Sequence, residues 1–164
     1  MRLSKPFVAA VAVGAGMAPA LAACPVELAV YRDRDAIAEL NFSPVDAQAA
    51  VTNRFKLIMR DGPVFEGHVL WTDDPARPYG QLLFECPEGD VTGDELAACS
   101  VWQGTIYTLG ADNTIGLMPG EGEPAPEKLL LADLGYQMRW SATWEKAGLK
   151  AVPWDEFRLA GCQE

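Results

Sequence analysis

His68 is the only histidine in this 164-residue chain, so any imidazole acid–base chemistry must pass through it. Read as an alternating strand, the stretch 64–71 sets Phe65, Gly67, Val69 and Trp71 on one face and brings Glu66 and His68 together on the other, a carboxylate beside an imidazole. With Asp73 a few residues further on, these three are the candidate catalytic residues of a small hydrolase. The sequence offers them little company. It contains no G-x-S-x-G elbow and no second histidine for a zincin-type site. The expectation is therefore a protein that is not an enzyme, with no cofactor implied.

Two further sets of residues have chemistry available to them. Asp90, Asp94 and Glu95 sit on the glycine-containing stretch 88–95, and calcium takes six to eight oxygens from such loops. The order of an EF-hand is absent, so these are candidate metal ligands only, and a solvated loop leading into a capped helix is the expected structure. The chain also has five tryptophans. Trp71 precedes a proline-bearing stretch that includes Asp74 and Tyr79, and the three are candidate binding residues, because flat rings on a β scaffold give contact area with little entropy to lose.

The first 23 residues explain where this chemistry would operate. Arg2 and Lys5 lead an apolar run from Phe7 to about Met17, followed by Pro19 and the small-residue triplet Ala20-Leu21-Ala22. That order is the one a cleavable secretory signal uses, and the run is shorter than the roughly 20 residues a spanning helix needs. No transmembrane span is expected. Residues 24–164 then form a single disulfide-bonded domain, secreted or periplasmic. Losing Arg2 and Lys5 leaves 11 basic residues against 23 acidic ones, a net charge of −12. Such a field repels nucleic acid and favours cationic partners.

Cys24, Cys86, Cys99 and Cys162 are an even set in a compartment where disulfides persist. Three pairings are open. Cys86 with Cys99 and Cys24 with Cys162 are favoured, the first closing a short loop and the second tying the ends of the mature domain; loop entropy assigns them ~3 and ~4.7 kcal/mol. The run Leu21-Ala22-Ala23-Cys24 also resembles the lipobox of bacterial lipoproteins. That resemblance covers only the processing site and implies an alternative in which Cys24 is acylated and the protein is membrane-anchored. Against it, residues 25–31 already read as a strand rather than a polar tether, and acylation would leave one of the other cysteines unpaired.

Alternation of apolar and polar residues is the recurrent signal along the rest of the chain. Val26, Leu28 and Val30 alternate, as do Leu40 with Phe42, Phe55 with Leu57 and Met59, and Leu82 with Phe84 and Cys86. The stretch 136–145 sets Tyr136, Met138, Trp140, Ala142 and Trp144 on one face, and reads as a half-buried strand. Asp61-Gly62 and the run 110–113 supply hairpin turns. Thr92 with Glu95 makes a capping box, and 46–51 and 127–133 are further short helix candidates. These elements predict a mainly β domain, an antiparallel sandwich or small barrel of about eight strands with one or two short helices.

The function expected from all this is a non-catalytic binding or interaction module of the cell envelope that binds a protein or small ligand, in its sharper version a cationic protein. The alternatives are a lipid-anchored structural lipoprotein and a periplasmic hydrolase using His68.

Overall fold

The computed structural model describes residues 24–164. The signal segment expected over 1–23 lies outside the described residues. After one 3-10 turn, Val26–Leu28, the chain forms β1 (Ala29–Asp33), β2 (Ala38–Ser43), β3 (Asn53–Met59), β4 (Val64–Asp73), β5 (Ala76–Leu83), α1 (Gly93–Cys99), β6 (Ser100–Leu109), β7 (Ile115–Leu117), β8 (Lys128–Leu131), α2 (Leu134–Trp140) and β9 (Glu156–Cys162).

Eight of the strands close a barrel in the order β1-β2-β3-β4-β5-β6-β8-β9, with β9 returning to β1 and every pairing antiparallel. Closure leaves none of the eight as a sheet edge along its paired length, which removes a template for aggregation. The extra strand, β7, takes over from β5 along Tyr107–Leu109 of β6. Alternation places one residue in two inside. The register carries an interior row Phe42, Phe55, Gly67, Leu82 and Trp102 across five strands.

That interior is packed with side chains. Trp102, Tyr31, Phe42, Phe55, Phe65 and Phe157 are essentially fully buried, with Leu40, Leu57, Ile106 and Leu129 among them. Two glycines make this possible. A Cβ at Gly67 would overlap the Phe55 ring, and one at Gly80 would lie 2.8 Å from Trp102 and Ile106. The Tyr31 hydroxyl donates to the Pro126 carbonyl at 2.9 Å, and burial holds its phenol well above the usual range. The barrel is thus a core and offers no central chamber for a ligand.

Several sequence expectations change here. The stretch 136–145 is not a strand: its first half belongs to α2. Leu134 and Met138, four residues apart, are both fully buried, while Tyr136 and Trp140 are 70% and 71% exposed. Period 3.6 wins because β8 and β9 already complete the sheet. The helix also lies close to the chain that returns to β9, where a Cβ at Gly135 would stand 2.9 Å from the Pro153 carbonyl. Conversely, 127–133 is not a helix but contains β8, with Leu129 and Leu131 pointing in opposite Thr108 and Ile106. The stretch 46–51 is a turn, in which Asp46 accepts from the N–H groups of Gln48 and Ala49. The first strand begins three residues later than its alternation suggested, and Ala29, Tyr31 and Asp33 are its buried residues. Cys86 falls beyond the end of β5, where positive φ at Glu85 breaks the alternation.

Other features match. Both hairpin turns are present, and Thr92 and Glu95 form the reciprocal capping box of α1. The disulfides are Cys24–Cys162 and Cys86–Cys99. The first staples β9 to the segment leading into β1; the second ties the end of α1 to the chain leaving β5.

Candidate binding surface

The outer face of β4 carries Glu66 and His68 as expected, but their neighbours are not those of a catalytic pair. The Glu66 carboxylate pairs with Lys56 on β3 at 3.3 Å. His68 stands between Arg54 and Gln81 in the register. Partial burial lowers its pKa, and the Arg54 charge lowers it further, against a smaller opposite effect of Glu66. Both effects favour the neutral imidazole, and among the described residues no hydrogen bond orients it. Asp73, five residues along the same strand, is about 16 Å away at 3.3 Å per residue. The structure does not assemble these three into a site.

The other candidates are dispersed too. Trp71, 41% exposed, sits opposite Pro78, and Asp74 occupies the tip of the β4–β5 hairpin. Tyr79 belongs to the opposite face of the strand from Pro78, and its hydroxyl donates to Gln103 Oε1 at 3.2 Å. Trp71 and Tyr79 thus do not converge. Of the metal candidates, Glu95 accepts from the Thr92 N–H at 2.9 Å and the Thr92 hydroxyl at 2.8 Å, bonds that hold its pKa below the usual carboxylate range. Its carboxylate is committed to the helix cap. Among the described residues, no group of three His, Cys, Asp or Glu side chains is arranged to hold a metal ion.

What the fold does assemble is a ledge on α2. Burying Leu134 and Met138 turns Tyr136 and Trp140 outward, one helical turn apart on the exposed side. Hydrogen bonds tie down the N-terminal half of the helix. Asp155 accepts from the N–H groups of Asp133 and Gly135 at 2.9 and 3.1 Å, serving two amides that a helix start leaves without partners. Gln137 bonds to the main chain of Gln103 on β6. The guanidinium of Arg139 lies 4.8 Å from the Trp144 ring and 5.4 Å from the Trp140 ring, within cation–π range of both.

Between α2, β6 and α1 runs an open groove of about 400 Å³, lined by Ser100, Gln103, Tyr136, Gln137, Trp140 and Ser141. None of these six is charged. The chain leading into and through α1 carries Glu85, Glu88, Asp90, Asp94 and Glu95, all exposed; Glu85 is ion-paired to Lys146 at 2.9 Å and Glu95 is held in the helix cap. Exposed aromatic rings on a strongly acidic chain are suited to a cationic surface, whose lysine and arginine side chains bind both ring faces and carboxylates. Sequence reasoning passed over this site because the same aromatics fit a buried strand face. The signal that would have found it is Leu134 and Met138 at helical spacing.

Comparison with protein-family models, with curated proteins and with solved structures gave no match for this chain.

Proposed function

We propose that this chain is an exported, non-catalytic binding module of the cell envelope, which engages a cationic protein on the outside of its barrel through the α2 ledge. The observation that carries this reading is the pair Tyr136 and Trp140, more than two-thirds exposed on a helix clamped at Asp155 and Gln103. Large exposed aromatics held rigidly are the usual anchors of an interface, because little side-chain freedom remains to be lost on binding. The packed interior supports recognition outside the barrel rather than within it. The net charge of −12 over residues 24–164 supports a basic partner.

Engagement of Cys24 by Cys162 supports soluble export over lipid anchoring, since a sulfur in a disulfide is not free to form a thioether to a diacylglyceryl group. The test is photo-crosslinking from position 140 in the native envelope fraction. A basic protein should be captured, and capture should fall steeply as salt rises. Capture that is unchanged from low to near-molar salt, or equal from a control position on the β2–β3 turn, would overturn the reading.

A further inference from the structure

A second recess lies at the barrel end where β1 turns into β2 and β3 into β4. It holds about 290 Å³ and is lined by Ile37, Met59, Arg60, Leu149, Lys150 and Ala151, among others. Its floor is apolar, because Met59 and Leu149 are buried and Ile37 is half-buried. Its rim is basic. Arg60 is fixed by donating from Nη2 to the Asp35 carbonyl at 2.6 Å and from its main-chain N–H to the Ile37 carbonyl at 2.8 Å, which leaves guanidinium donors free. Lys150 is exposed and makes no ion pair among the described residues. Asp61 contributes the only carboxylate of the lining, so this recess carries a net positive charge in a strongly acidic chain.

The recess is also a seam. Among the described residues, no backbone hydrogen bond joins the segment 148–151 to the turn 59–62. An apolar floor beneath two cations matches one kind of ligand. A bare inorganic anion would make no contact with the apolar floor, and a neutral hydrocarbon would leave both cations without a partner. The volume stands at the lower limit of ligand sites, which restricts the chain to a short one.

We propose that this recess binds a small amphipathic anion, with a short aliphatic chain laid on Ile37, Met59 and Leu149 and its carboxylate between Arg60 and Lys150. The site shares no residue with the α2 ledge and does not depend on it.

Hexanoate is the probe, titrated into the mature protein while its amide resonances are followed by NMR. Saturable shifts are expected at Gly62, Gly148, Leu149 and Ala151, with Kd about 1 mM or tighter. Each methylene removed should weaken binding about fourfold, so that butanoate binds roughly 15-fold less tightly and acetate not measurably. Hexan-1-ol should bind at least about tenfold more weakly than hexanoate, and Lys150→Glu, a change at an exposed position, should cost hexanoate a similar factor while Lys150→Arg retains it. The proposal is overturned if these amides show no saturable shift at about 10 mM hexanoate, if hexan-1-ol matches hexanoate, or if Lys150→Glu leaves its affinity unchanged.

Discussion

The side-chain amide of Gln137 sits against the main chain of Gln103 like one more residue of a β-ladder: the Gln103 N–H donates to Oε1 at 3.0 Å, and Nε2 donates to the Gln103 carbonyl at 3.1 Å. On that side of β6, pairing with β8 begins only at Ile106. A helix side chain therefore continues the barrel wall where the neighbouring strand has stopped. Gln137→Leu would leave both Gln103 groups without a partner in a partly buried place. We expect it to lower unfolding free energy by about 2 kcal/mol in urea titration. Gln137→Glu keeps the acceptor and should lose less.

The ledge above that contact should behave oppositely. Tyr136→Ala combined with Trp140→Ala removes two rings that are mostly in solvent, so stability should change by no more than about 0.5 kcal/mol. Affinity for the captured partner should fall about 30-fold or more, the scale of an interface anchor. Equal affinity of the double variant and the wild type by calorimetry would remove the ledge from the interface.

The two disulfides should differ in weight. Cys24–Cys162 spans 138 residues of sequence and Cys86–Cys99 only 13, so loop entropy gives the first the larger share, ~4.7 against ~3 kcal/mol. Replacing both cysteines of a pair by serine and comparing denaturation midpoints should rank the Cys24/Cys162 variant as the less stable.

His68 carries a pH signature. Its folded-state pKa lies below the ordinary 6.5, so the unfolded chain binds a proton more readily than the folded one. Its favourable contribution is present above about pH 6.5 and is lost as pH falls through the lower folded value. Wild type should therefore lose more stability than His68→Gln between about pH 7.5 and pH 5. A constant gap between the two proteins over that range would show that the imidazole is not coupled to folding. His68→Ala should leave partner binding at the α2 ledge intact.

Much of the barrel was legible in the sequence because its signals are local. Asp61-Gly62 and the run 110–113 mark hairpins by their backbone freedom, and Phe55, Leu57 and Met59 alternate without interruption. The elements that were misread depend on distant partners. Tyr136, Met138 and Trp140 satisfy period two as well as helical spacing; what decides between them is Asp155, about twenty residues later, which bonds the start of the helix. Residues 129–131 are three consecutive leucines, a run that periodicity cannot divide between helix and strand. The ledge was hidden for the same reason, since which side of α2 meets solvent depends on where β6 and β9 lie. The recess at Arg60 and Lys150 joins residues 90 positions apart, and no local pattern announces it.

The place of β9 in the wall governs how this molecule can come into being. Of the eight barrel strands it comes last in chain order, yet it lies between β1 and β8 and pairs with both. Until it arrives, β1 and β8 each present an unpaired edge, and the hairpins between them can form only an open, curling sheet. Closing the wall requires contacts far apart in sequence, the kind that makes folding slow. A chain stalled before that step would be held together by its hairpins and would be most prone to pair with another copy of itself.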